Sequence, residues 1–214
     1  QQQQQQQQHV KKAMPAPTDP MQVYFLGLAT QNDVNNDRRE RLIKLSRDIT
    51  RNSKKIISLL QRANGSAGDV ALLASAHEAL VPIRSDFATV MQEIHEQDFW
   101  RNKPSFSSGV QEYLEAAAFL HFLETGALLS LEQAAREMVP SDSAPFPLAL
   151  DEYLCGVADL SGELMRTCIS AAGSNKPAIA RQTCEFVRSM HAQFAQLCGI
   201  SGIRDLPKKT EVME

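Results

Sequence analysis

The sequence predicts an all-α protein, and three observations predict it. The 214 residues hold only 10 glycines and 10 prolines, so long uninterrupted runs alternate with short breaks. Within those runs apolar residues recur at three- and four-residue spacing, and strict period-two alternation is almost absent. Helix-boundary residues stand at the ends of the runs: Gly109 and Gly126 around one segment, Ser130 with Gln133 as a capping box, and Gly173 after another. The architecture expected is an antiparallel bundle of six to seven helices, one domain over 21–199. A disordered polyglutamine and Pro-rich segment (1–20) precedes it, and a polar tail (200–214) follows.

In chain order, the first helix runs from about Met21 to Arg62, with Asn32–Asn36 a candidate interruption. Leu42, Leu45, Ile49, Ile56, Leu59 and Leu60 form its apolar stripe. Asn64–Gly68 is a loop. The second helix covers about Asp69 to Gln97, and Pro82 should kink or divide it. Trp100–Ser108 connects to the central segment between Gly109 and Gly126. That segment is apolar on two faces: Phe106, Val110, Tyr113, Leu114, Ala117 and Leu120 on one, Phe119, Phe122 and Leu123 on the other. A helix apolar on both sides is normally interior. A short helix from Ser130 to about Val139, a loop over Pro140–Pro147, and helices over about Leu148–Ala172 and Pro177–Leu197 complete the domain.

Composition excludes several functional classes. No apolar run reaches membrane-spanning length, and the N-terminus has no charged-then-apolar leader, so the expectation is an intracellular chain without a membrane partner. Cys155, Cys168, Cys184 and Cys198 are widely spaced, which fits reduced thiols rather than a zinc site or disulfide framework. There is no Gly-x-Ser-x-Gly, phosphate-cradling glycine loop or Cys–His pairing to support a side-chain nucleophile. The net charge of −3 conceals an asymmetry: Arg38–Arg62 holds nine basic residues against Glu40 and Asp48, a local +7 that leaves the remainder near −10. Such a stripe suits a polyanion or an acidic partner, or is a solvated helix face.

The chemistry centres on carboxylates. Glu112 and Glu115 (i, i+3) lie on the second apolar face of the central helix, and burying two adjacent acids is costly unless a cation compensates. Asp159 and Glu163 (i, i+4) share a polar face of a later helix with Glu152 and Arg166, where plain solvent exposure is the competing reading. Four carboxylates converging from two helices would form an oxygen-only site for Mg²⁺, with Mn²⁺ as substitute, able to activate water against a phosphodiester. Glu93 and Glu96 have similar spacing and are read as solvated surface. His121 points away from the acids, and no Glu-x-x-His motif supports a di-iron centre.

Three stretches carry a resemblance: Arg38–Thr50 (Arg-Arg-Glu-Arg-Leu-Ile-Lys-Leu-Ser-Arg-Asp-Ile-Thr), Gln111–Ala116 (Gln-Glu-Tyr-Leu-Glu-Ala) and Glu152–Arg166 (Glu-Tyr-Leu-Cys-Gly-Val-Ala-Asp-Leu-Ser-Gly-Glu-Leu-Met-Arg). They resemble the translin family, specifically its translin-associated factor X (Trax) branch, over about Met21–Gly199. Translin itself differs by a neutral residue at the position of Asp159. The resemblance implies an all-helical subunit of a barrel-like hetero-octamer with translin, an Mg²⁺-dependent endoribonuclease on single-stranded RNA in cytoplasm and nucleus. It implies passenger-strand fragments of RNA silencing and tRNA precursor fragments as substrates, with single-stranded DNA a further ligand. The family's catalytic and metal-holding acids fall on Glu112, Glu115, Asp159 and Glu163.

Arg38, Arg41 and Lys44 are candidate contacts to the RNA backbone. The family's long C-terminal helix is missing or shortened, and Arg204–Lys209 resembles sequence from beyond it. The alternatives are a non-catalytic nucleic-acid-binding or scaffolding subunit that stabilises translin, and a redox bundle metalloprotein. Phe25, Leu26, Leu28, Phe119 and Phe122 exceed what six helices hide, which predicts obligate association.

Overall fold

The computed structural model describes residues 19–63, 70–94, 99–198 and 202–213, and among these residues it is helical without a strand. Eight α-helices follow in order: α1 (Pro20–Leu60), α2 (Val70–Glu93), α3 (Phe99–Asn102), α4 (Ser107–Thr125), α5 (Leu131–Glu137), α6 (Leu150–Gly173), α7 (Pro177–Cys198) and α8 (Leu206–Glu211). Six match the expected helices, and the short α3 and α8 are additions. The described residues divide into two compact units, the first ending at Arg38 and the second beginning at Arg39. The expected disorder of Gln1–Gln8 and most of the Pro-rich segment lies outside the described residues.

In the first unit, the Asp19 carboxylate accepts the Met21 N–H at 3.1 Å, and Pro20 supplies a pre-set φ at the first helical position. Met21, Val23, Tyr24, Phe25, Leu26, Leu28 and Val34 are all exposed. The helix passes unbroken through Asn32–Asn36, which corrects the expected interruption. Asparagine costs a helix well under about 1 kcal/mol per residue, too little to stop one already nucleated.

The second unit is a bundle with one continuous core. From α1 it takes Leu42, Ile49, Ile56 and Leu60 at helical spacing, with the small polar Ser46 and Ser53 between them. The α2 helix is not divided at Pro82. This residue and Glu78, whose carbonyl loses its intrahelical donor, are both exposed, so water can replace the missing bond. Phe87, Phe99, Phe106 and Phe146 form a run of edge-to-face contacts, and Tyr113 joins it through Phe87 at 5.1 Å. The Tyr113 hydroxyl donates to the Glu137 carbonyl at 2.8 Å. The central helix α4 is interior as expected, and Phe119 and Phe122 are buried in it. Phe122 stacks on Phe186 of α7 at 4.6 Å, so these two are not spare apolar surface.

Helix direction decides what the bundle can bring together. Contacts of Arg41 with Glu93, and of His77 with Glu124, set α1/α2 and α2/α4 antiparallel. The Cys168 thiol meets the Ala180 carbonyl where α7 folds back along α6. By contrast α4 and α6 run in the same direction: Gln111 lies beside Gly156, and Glu115 lies among Asp159 and Glu163. The return between them is carried by α5, whose N-cap Ser130 and Gln133 form the full capping box. Gly109 permits a close approach of α4 to α1, since a Cβ there would stand 3.0 Å from the Ser46 carbonyl oxygen. Cys155, Cys168, Cys184 and Cys198 are all free.

The chain after α7 also folds. Leu206 and Met213 are buried, and Thr210 meets the Cys198 sulfur at 3.1 Å, which docks α8 against α7. Nothing in the tail's polarity announced this helix. Among the described residues no helix is long and apolar enough to cross a membrane.

Candidate functional site

The four predicted acids line the seam between α4 and α6. Their convergence follows from the parallel pairing of the helices, which sets the i, i+3 pair of one level with the i, i+4 pair of the other. The Glu115 carboxyl shows it electrostatically: it is pushed up to about 8, first by burial and then by the charges of Asp159, Glu112 and Glu163, with Lys209 pulling the other way. Neither pair is a solvated ornament. Glu163 is only 7 % exposed, and Glu112 and Glu115 are half-buried.

Three of the four carboxylates hold a partner. Lys54 of α1 pairs with Glu112 at 3.2 Å. Lys209 of α8 reaches both oxygens of Asp159 at 2.5 Å. Glu163 accepts from the Gln61 amide at 2.7 Å and from Arg166 at 3.0 Å, and the Gln61 amide also meets the Glu163 carbonyl at 3.0 Å. Glu115 has no ion pair among the described residues. Four carboxylates are thus faced by three cations, and a proton on Glu115 would complete the neutralisation. Because each acid turns to its own partner, no three His, Cys, Asp or Glu side chains among the described residues close around one point.

The basic stripe does several jobs. Arg41 makes a two-point pair with Glu93, at 2.8 and 2.9 Å. Arg51 pairs with Asp48 at 2.8 Å. Lys44 is exposed and has no ion pair among the described residues. Arg38 is half-buried in the first unit. Glu93 is therefore paired rather than merely solvated, while Glu96 lies outside the described residues. His121 is half-buried on α4 and takes no place among the acids. Lys54, Gln61 and Lys209 were not singled out from the sequence. Lys54 and Gln61 are seven residues apart on one face of the first helical run, a signal that was available. Lys209 stands 50 residues from Asp159, and no spacing rule links them.

An all-helical bundle with a four-carboxylate seam between two parallel helices defines the class. The chain belongs to the Translin family, whose model matches residues 37–214. It is similar to translin-associated protein X of Rattus norvegicus, 31 % identical over 212 residues, covering 90 % of this chain and 73 % of that protein. The homologue of the same protein in Schizosaccharomyces pombe is 29 % identical, with 91 % and 82 % covered. Translin of Homo sapiens is more distant, 23 % identical over 176 residues, with 79 % and 75 % covered. Among solved structures, apo-NeC3PO superposes with a TM-score of 0.70 at 16 % identity, covering 92 % of each chain. AfC3PO, solved in complex with duplex RNA, gives 0.55 at 18 % identity, covering 89 % of this chain and 88 % of that one.

Proposed function

We propose that this chain is the cleaving subunit of a translin-type hetero-oligomer that hydrolyses single-stranded RNA with the help of Mg²⁺. The observation that carries the reading is the gathering of Glu112, Glu115, Asp159 and Glu163 in one seam, at the repulsive cost expressed in Glu115. An all-carboxylate donor set suits a hard divalent cation, Mg²⁺ or Mn²⁺, and disfavours zinc or copper. These four residues would hold it. When bound, such a cation polarises water and offsets the charge that develops on a phosphodiester.

The remaining roles belong to the chain itself. Gln61 and Arg166 hold the two oxygens of Glu163 in a fixed orientation, and Lys54 steadies Glu112. Burial and the charges of Asp159, Glu112 and Glu163 push the Glu115 carboxyl up to about 8, so a dication held there would compete with its proton. Lys44, with Arg38 and Arg41, would hold the RNA backbone electrostatically, Arg41 only after loosening from Glu93. The neighbourhood of this fold supports an RNA substrate, since AfC3PO was solved with duplex RNA. The translin and translin-associated relatives support translin as the partner.

The second reading is a subunit that binds RNA and stabilises translin without cutting, and the pairing of three acids with cations of the chain favours it. One experiment separates the two. The chain purified with translin is given labelled single-stranded RNA in Mg²⁺ and in EDTA, beside Glu112→Ala and Asp159→Ala. Cleavage lost in EDTA and in both variants supports the enzyme. Cleavage that survives both variants removes the seam from the chemistry, and no cleavage in Mg²⁺ establishes the non-cutting subunit.

A further inference from the structure

Lys209 sits where a cation would be expected. Its ammonium spans both oxygens of Asp159 at 2.5 Å, and the side chain is only 23 % exposed. Its charge also reaches Glu115, where it lowers the carboxyl that burial and the neighbouring acids raise. The six-residue helix that carries it is held by few side chains: Leu206 and, just beyond the helix, Met213 are buried, and Thr210 meets Cys198. Beside the pair opens a cleft of about 370 Å³ lined by Asp159, Ser161, Gly162, Asp205 and Lys208. That cleft gives the ammonium room to swing out, and Asp205 gives it a second carboxylate to meet.

We propose that Lys209 is a resident counter-cation of the acidic seam, holding Asp159 until a divalent cation displaces it and frees α8 from α6. This inference rests on the metal-site reading of the seam and adds a threshold to it. A tethered competitor acts at high effective concentration, so the dication binds more weakly than the bare carboxylates would allow. Conversely, Lys209 spares the unloaded seam the repulsion of a naked Asp159 beside Glu115 and Glu163.

The test uses Mn²⁺ alone as probe, titrated into the full chain and followed by the paramagnetic resonance of free Mn²⁺. Four proteins are compared: wild type, Lys209→Met, Lys208→Met and Asp159→Asn. Lys208→Met removes the same charge from the neighbouring position, which is exposed and makes no pair with Asp159 among the described residues. The expected result is binding at least about tenfold tighter for Lys209→Met, less than about twofold tighter for Lys208→Met, and lost in Asp159→Asn. Hydrogen exchange of the α8 amides in wild-type protein should accelerate when Mn²⁺ saturates, a readout that needs no variant. Equal tightening by both lysine variants, or α8 protection unchanged by Mn²⁺, overturns the proposal and leaves the metal site standing. Equal Mn²⁺ binding by wild type and Asp159→Asn, or none by any protein, overturns the metal-site reading and this proposal with it.

Discussion

Gly156 of α6 faces Leu114 of α4 so closely that a Cβ at position 156 would stand 2.7 Å from the Leu114 Cβ. No real side chain tolerates that separation, so this glycine sets the distance between the two helices that carry the acids. Gly156→Ala must push them apart or tilt them. The expected loss is about 1–3 kcal/mol from overpacking, a fall of several degrees in Tm for a chain of this size. Thermal unfolding checks it, and an unchanged Tm would show that the seam can open without cost.

Glu152 lies on the same stripe of α6 as Asp159 and Glu163, two turns before Asp159, and is 1 % exposed, with the Ser107 hydroxyl as its hydrogen-bonding neighbour. Burial pushes its carboxyl up to about 7; Ser107 and Lys103 pull it back only in part, and Asp151 adds to the rise. The folded chain therefore keeps a proton that the unfolded chain releases from about 4.5 upward, so stability falls as pH rises to about 7 and then levels. The span corresponds to about 3 kcal/mol at most. Glu152→Gln should flatten this part of the pH–stability curve and raise stability at pH 8. Denaturant midpoints measured across pH 4.5–8 decide it, and parallel curves for both proteins would refute the buried proton.

Glu115→Gln should separate stability from function. It removes a half-buried acid repelled by three others, so the metal-free variant should melt higher than wild type above pH 8, where the wild-type carboxyl ionises. If the seam holds Mg²⁺ as proposed, millimolar Mg²⁺ should raise the Tm of the wild type and leave that of this variant unchanged. Thermal scans with and without Mg²⁺ report both effects. A variant that melts lower in EDTA would mean that Glu115 is held by more than its repulsive neighbours.

The two basic candidates of the second unit should differ in salt dependence. Lys44 is exposed and unpaired among the described residues, so Lys44→Ala should reduce the slope of log affinity against log salt for single-stranded RNA by about 0.7. Arg41 must first leave Glu93, and Arg41→Ala should change the slope less. Filter binding of the translin-associated complex over a salt series measures both. Equal slopes for wild type and Lys44→Ala would remove that residue from the RNA path.

The first unit predicts a different signature. Phe25 and Leu28 are exposed on α1, so Phe25→Glu and Leu28→Glu should leave Tm unchanged within experimental error. Both should weaken co-purification with translin if these side chains meet a partner surface. Intact assembly by light scattering in both variants would redirect the search for the interface.

Much of this molecule was legible because helix periodicity is a local property. The stripe Leu42–Ile49–Ile56, the capping box at Ser130 and the spacing of the four acids need only a few neighbouring residues to be recognised. What was not legible depends on who packs against whom. Phe122 looks surplus on α4 until α7 brings Phe186 over it. Pro82 and Asn32–Asn36 look like breaks, yet an exposed face and a long helix absorb them. The acids could be grouped from sequence, but their partners Lys54, Gln61 and Lys209 come from helices distant in the chain.

The shared direction of α4 and α6 has a kinetic consequence. Parallel helices cannot be joined by a tight hairpin, so Glu115 and Asp159 are separated by the whole excursion through α5, 44 residues of chain that must be closed before the acids meet. Local helices form in about a microsecond, whereas a closure of that length gains nothing until the core contacts of Tyr113, Tyr153 and Leu160 are in place. The repulsion of the seam is therefore absent from the early collapsed chain and appears only once a nearly complete core is there to bear it. Mutations that relieve the acids should accordingly slow unfolding while leaving the folding rate almost untouched.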